Sequence, residues 1–251
     1  MSLKRNQLLN ILNDFLSPQE IKDYCPNGLQ VEGTDTISHI VTGVTASQAL
    51  IDRAIALNAD TILVHHGYFW KGEAPVITGM KRSRFKALLE NNINLFAYHL
   101  PLDVHAEVGN NVQLGQLLNV NAIKPLNSIK PQGLVYTGEV DTCEPVDVKT
   151  RLESTLGRSV LMEPGNRSIT TLAWCTGGGQ GYIEAAAEAG IDGFISGEVS
   201  EQTIHVAREM GISFFSAGHH ATERYGVKAL GEWLTAQTGV AVSFVDIDNP
   251  A

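Results

Sequence analysis

The sequence predicts an α/β protein of two similar-sized lobes, with mixed or parallel sheets flanked by helices and a metal site between them. Three observations carry this prediction. Short apolar runs alternate with helical segments along nearly all of the 251 residues, the signature of βαβ units. Residues 121–131, with two prolines, interrupt that rhythm near the middle. The second half then repeats the pattern of the first. The expected division is 1–125, carrying His65, His66 and Asp103, and 126–251, carrying His219 and Glu223.

Leu8, Leu9, Ile11, Leu12 and Phe15 recur at helical spacing, so residues 4–16 read as an amphipathic helix ending at Ser17-Pro18. Pro26-Asn27-Gly28 signals a turn before Leu29-Gln30-Val31. Strands are expected at 39–44, 61–64 and 93–98, and helices at 46–58, 82–91 and 110–118. In the second half the strands fall at 134–140, 169–175, 193–196, 212–216 and 240–245. Helices are expected at 146–156, 182–189, 201–210 and 221–238. No short-period repeat or low-complexity tract appears.

Hydrophobic content of 43% and charged content of 18% are ordinary for a globular chain. The longest apolar runs are strand-sized, so no bilayer-spanning helix and no membrane partner are expected. The amino terminus lacks the apolar core of a signal peptide, which predicts a cytoplasmic protein. Cys25, Cys143 and Cys175 are odd in number and widely spaced, which gives neither a disulfide framework nor a Cys-x-x-Cys metal site. The formal net charge of −9, with no long basic run, disfavours nucleic acid as a partner. A small anionic, nucleotide-like substrate needs bound cations to offset that charge.

Three segments beyond strand ends concentrate the chemistry. His65-His66 follows Thr61-Ile62-Leu63-Val64 and precedes Gly67. Ligands in open α/β sheets gather at the carboxyl ends of strands. Neighbouring side chains on a strand point to opposite faces, so two adjacent histidines fit two ions better than one. The second segment runs from Ala97 to His105 and contains His99 and Asp103; Pro101 argues for a loop there. The third, Gly218-His219-His220-Ala221-Thr222-Glu223, enters a helix. Spacing puts either His219 or His220 on the same helical face as Glu223 and leaves that choice open. Singly, each piece also suits a packed histidine or a solvated pair. Together they hold six of the eight histidines. Imidazole with carboxylate suits Zn, Mn, Fe, Ni or Co.

These motifs resemble the GTP cyclohydrolase I type 2 family, the Ngg-interacting-factor-three-like proteins, in a bacterial short form. The resemblance rests on Asn27-Gly28-Leu29-Gln30-Val31, Val64-His65-His66-Gly67 and His99-Leu100-Pro101-Leu102-Asp103 with Glu107-Val108-Gly109-Asn110-Asn111. It continues through Gly177-Gly178-Gly179, Ile195-Ser196-Gly197-Glu198 with His205, and Gly218–Glu223. It implies two divalent metal ions per subunit on His65, His66, Asp103, His219 and Glu223, which selects His219. It further implies that Glu223 bridges the ions, with His66 and Asp103 on one and His65 and His219 on the other. A ring-shaped homohexamer is implied too. The Gly-Tyr-Phe that follows His66 departs from the Pro-Leu-Phe common at that point in the family.

Other features stand beside this set. Gly177-Gly178-Gly179-Gln180-Gly181 is either a tight turn or, through Gly178 and Gly179, an anion cradle. Glu198 and His205 are candidates to orient ligand histidines. His99, so close to Asp103, and Glu223 are candidates to handle a proton. Lys81-Arg82-Ser83-Arg84 reads as a solvated helix start, and Trp70, Trp174 and Trp233 are scattered. The functional expectation is a dinuclear metal-dependent hydrolase, by resemblance one that opens the GTP imidazole ring with release of formate. The alternative is a hexameric metal-binding ring with a scaffold or DNA-associated role.

Overall fold

A computed structural model describes all 251 residues. The chain opens with β1 (Leu3–Lys4) and α1 (Arg5–Leu16), whose buried Leu8, Leu12 and Leu16 line one face at four-residue spacing. There follow β2 (Gly28–Val31), β3 (Thr36–Ile37), β4 (His39–Thr45), α2 (Gln48–Ala56), β5 (Thr61–His66), α3 (Gly79–Glu90), β6 (Asn94–Ala97) and α4 (Leu100–Asp103). Next come α5 (Asn110–Leu117), β7 (Asn121–Pro125), β8 (Tyr136–Cys143), α6 (Pro145–Leu156), β9 (Leu161–Glu163), β10 (Ile169–Cys175) and α7 (Ile183–Glu188). The chain ends with β11 (Gly193–Ser196), α8 (Glu201–Met210), β12 (Ser213–Ser216), α9 (His219–Thr238) and β13 (Ala241–Phe244). No helix is long and apolar enough to cross a membrane.

Two units result. The first comprises Met1–Leu102 and Gly226–Asp248, and the second Asp103–Tyr225 and Asn249–Ala251. The first holds the five-stranded sheet β13-β4-β5-β6-β2 and the small β1-β3 ladder. Strands β13, β4, β5 and β6 run parallel, and β2 is antiparallel to β6. The apolar runs of β4, β5 and β6 are buried almost throughout, as expected for parallel strands covered on both faces.

The second unit holds the six-stranded sheet β7-β8-β10-β11-β12-β9. Its centre is the parallel trio β10-β11-β12, with Trp174, Ile195 and Phe215 side by side. Trp174 is fully buried, and its indole N–H donates to Asn111 O at 2.7 Å. Asn111 is a polar fastener in this core. Its Nδ2 reaches Asp103 O, Gly133 O and Leu134 O at 3.1–3.3 Å, and its Oδ1 accepts from Thr176 N at 2.9 Å.

Most elements match the sequence expectation in type and place. The division does not fall at 125/126. Strand β7 pairs with β8, so residues 121–125 belong to the second sheet, and β13 returns to pair with β4 in the first. Asp103 consequently lies in the second unit, not with His65 and His66. The sequence concealed this because β7 is a largely exposed edge strand with little apolar pattern. The segment before Asp103 is one helical turn rather than a loop. Pro101 is its second residue, where the missing N–H is not needed.

Replacing Asn111 with alanine strands several buried backbone groups at once. The expected cost is about 3 kcal/mol, read as a lower urea midpoint for the variant than for the wild type.

Candidate functional site

Parallel pairing places functional loops along one edge of each sheet. In the first unit β5 ends at His65 and His66, and β6 is followed at once by Tyr98 and His99. Because β2 runs antiparallel, with Gly28 opposite Ala97, the residues just before it reach the same edge. Asp23 and Asn27 are thereby brought to His99.

His65 is fully buried, and its Nδ1 lies 3.0 Å from Tyr98 O. A carbonyl oxygen only accepts, so Nδ1 carries the hydrogen and Nε2 is the basic nitrogen. His66 is half-buried, with Nδ1 3.1 Å from Thr45 Oγ1 on β4. Although neighbours on a strand diverge, these two rings lie with centroids 4.5 Å apart, because the ladder finishes at His66 and the chain leaves the sheet at Gly67. A side chain at Gly67 would collide with Gln30 Oε1 and with Ala97 Cβ. Ring nitrogens of His65, His66 and His99 fall within 4.8 Å of one another, a group able to hold a metal ion.

His99 is tied down twice. Its Nδ1 lies 2.7 Å from Asp23 Oδ1, and its backbone N–H donates to Asn27 Oδ1 at 2.7 Å. Burial works against a charge on Asp23. Hydrogen bonds from His99, Asn27 and the Tyr24 N–H outweigh it and hold the carboxyl below its usual range. The neighbouring Cys25 thiol is pushed up to about 12 by burial and by Asp23, so it stays a neutral thiol.

In the second unit β10, β11 and β12 end in register, with Cys175, Ser196 and Ser216 side by side. The loops beyond them are stitched together. Gly197 N donates to Gly177 O at 2.9 Å, Ala217 N to Ser196 O at 2.8 Å, and Gly218 N to Gly197 O at 2.9 Å. Gly177 N donates to Thr222 Oγ1 at 3.0 Å, which ties this edge to the first turn of α9. His219 and Glu223 stand one turn apart on α9, with His219 Nε2 3.2 Å from Glu223 Oε2. On its other side His219 Nδ1 lies 2.7 Å from Glu198 Oε1. Burial works against charge on His219, yet Glu223 and Glu198 outweigh it and push its pKa up to about 9. Asp103, 6% exposed, accepts from Asn110 Nδ2 at 2.8 Å. Glu223 is 3% exposed.

The glycine run has a steric purpose. Gly177 adopts φ +61°, and a Cβ there would fall on Glu223 Oε1, 3.1 Å from His219 Nε2. Gly178 faces Glu198, and Gly179 packs on Cys175. Burial, with Asp103 and Glu223 nearby, holds the Cys175 thiol far above its usual range. Glu198 is the residue whose Oε1 faces His219 Nδ1. His205 does not orient a ligand histidine; it is 54% exposed and lies 3.9 Å from Glu201, a solvated pair one turn apart.

Sequence reasoning missed Asp23, and it did not foresee the holding roles of Asn110 and Asn111. No spacing rule links Asp23 to His99 across 76 residues. The only cue was the polar Gly109-Asn110-Asn111 opening a helix that otherwise packs against the core.

Comparison with known proteins agrees with this architecture. Residues 3–250 match the family model Duf34/NIF3 (NGG1p interacting factor 3). A Yersinia pestis protein named GTP cyclohydrolase 1 type 2 homolog is 56% identical, covering 99% of this chain and 100% of its own length. A Haemophilus influenzae protein of the same name is 58% identical, covering 98% of each. Among solved structures, protein ybgI, described as of unknown function, superposes with a TM-score of 0.95 at 52% identity, covering 99% of this chain and 100% of its own. TTHA1606 from Thermus thermophilus gives a TM-score of 0.91 at 33% identity, with the same coverage. The chain belongs to the Duf34/NIF3 (NGG1p interacting factor 3) family.

Proposed function

We propose that the chain is a metal-dependent hydrolase in which His65, His66, Asp103, His219 and Glu223 hold two divalent ions. The observation that carries this reading is the treatment of the three histidines. Each has Nδ1 beside an oxygen of its own unit: Tyr98 O for His65, Thr45 Oγ1 for His66, Glu198 Oε1 for His219. Outer oxygens of this kind orient imidazole ligands and leave Nε2 for a metal. Two buried carboxylates complete a donor set suited to Zn, Mn, Fe, Ni or Co. By family resemblance these five residues would hold the two ions between them.

Bound there, the ions supply an acidified water and polarise the attacked centre. The chain's own part is to fix the ligands: Asn110 orients Asp103, Glu198 orients His219, and Gly177 leaves room for Glu223. The substrate reading is GTP, its imidazole ring opened with loss of formate, after the name shared by the curated relatives. The triphosphate's negative charge is offset by the ions in a chain of net charge −9. The proposal extends to a ring-shaped homohexamer acting in the cytoplasm.

Formate release from GTP by the metal-loaded protein, and none by the His65→Ala/Glu223→Ala double variant, is the expected result. No formate from the wild type with any of these metals overturns the hydrolase reading and favours a non-enzymatic metal-binding ring. Metal uptake at pH 7 releases a proton, because His219 is protonated below about 9 in the metal-free chain. Calorimetric titration in buffers of different ionisation enthalpy measures that release. The same raised pKa stabilises the metal-free fold fully below 6.5, and the contribution disappears as pH rises through about 9. Thermal melts of chelated protein across that window check the sign. Gly177→Ala displaces Glu223, and the expected loss is about 10–100-fold in metal affinity, with far-ultraviolet circular dichroism unchanged.

A further inference from the structure

The Asp23–His99 pair has no part in the five-residue donor set, yet it is among the most fully specified features of the first unit. The Asp23 side chain is 3% exposed and receives four hydrogen bonds. Oδ1 accepts from Tyr24 N at 2.6 Å and faces His99 Nδ1 at 2.7 Å. Oδ2 accepts from Asn27 Nδ2 and from Leu100 N, both at 2.9 Å. An ionised carboxylate only accepts, so the hydrogen at this contact resides on His99 Nδ1. In the neutral imidazole, His99 Nε2 is then a lone-pair nitrogen. Its ring lies 5.1 Å from the His65 ring, 5.8 Å from His66 and 4.9 Å, edge-on, from Trp70.

We infer that Asp23 is a positioning residue that locks His99 as the Nδ1–H tautomer, so that Nε2 serves as a hydrogen-bond acceptor beside His65 and His66. The acceptor takes an O–H of water or an N–H of a heterocyclic substrate, and this functional part rests on the hydrolase reading above. A neutral Nε2 cannot repel a nearby cation, and it discriminates for ligands that carry a hydrogen at that point. Backbone anchoring of His99 by Asn27, and of Leu100 by Asp23, fixes the ring's position as well as its tautomer. The inference makes His99 a hydrogen-bond acceptor beside the five proposed ligands, not a sixth ligand.

The test uses solid-state nitrogen-15 spectra of the full, metal-free chain with ring-labelled histidine, His99 being assigned by its loss in His99→Gln. The expected wild-type spectrum shows His99 with Nδ1 protonated and Nε2 bare. Asp23→Ala gives a mixture of tautomers, and Asp23→Asn does not restore the wild-type signal, because its amide N–H2 must face two of the four donors that surround the carboxylate. A wild-type His99 protonated on Nε2 overturns the inference, as does a spectrum unchanged in Asp23→Ala. Cobalt(II) stoichiometry and visible absorption are expected to be unchanged in His99→Gln; loss of an ion makes His99 a ligand and also overturns it. With formate release as readout, Asp23→Ala lowers kcat about 10–100-fold at constant KM. If the wild type releases no formate, the hydrolase reading falls while the tautomer result stands on its own.

Discussion

In-register parallel pairing is the constraint from which the chemistry of both units follows. Parallel strands share a direction, so their carboxyl ends must finish along one edge, and whatever follows them is gathered there. In the first unit this aligns Thr45, His66 and the residues after Ala97; in the second it aligns Cys175, Ser196 and Ser216. The interior of each strand is left to apolar packing. Polar side chains then secure the edge. Asn27, Asn111 and Thr222 each bond backbone groups that no ladder satisfies.

A second layer of order lies in the oxygens behind the imidazoles. Each of His65, His66, His99 and His219 has Nδ1 within 3.1 Å of an oxygen: a carbonyl, a hydroxyl or a carboxylate. Where that oxygen is an obligate acceptor, the tautomer is decided by the fold and not by solvent. The electrostatics point the same way. Asp103 and Glu223 are buried acids within a chain already carrying nine excess negative charges, a state that costs free energy until cationic or hydrogen-bonding groups answer it. His219, held between two carboxylates, carries positive charge at neutral pH.

Much of this was legible in the sequence, for reasons that differ by residue. Strands β4, β5 and β10 are dense runs of β-branched and aliphatic residues, and helices α1 and α6 have a clear apolar stripe, so period alone revealed them. His65, His66, His219 and Glu223 stood out because histidines cluster just past such runs. The allocation of residues to units was hidden. Strand β7 is polar and exposed, and the return of β13 to β4 is a pairing across some 200 residues that no local pattern encodes. Asp23 was invisible for the same reason, since its partner is reached only through the antiparallel setting of β2. His205 misled because a histidine one turn from a glutamate looks alike whether it supports a ligand or faces solvent.

The cysteines have a consequence for how the protein meets oxidants. Burial raises Cys143 and Cys175, and Cys25 reaches about 12, so none presents a thiolate at neutral pH. Peroxide and thiol-exchange reagents attack the anion, not the neutral group, so all three react sluggishly. Oxidation of the three sulfurs is therefore slow at neutral pH, and the nitrogen and oxygen donors of the strand edges suit borderline and harder cations.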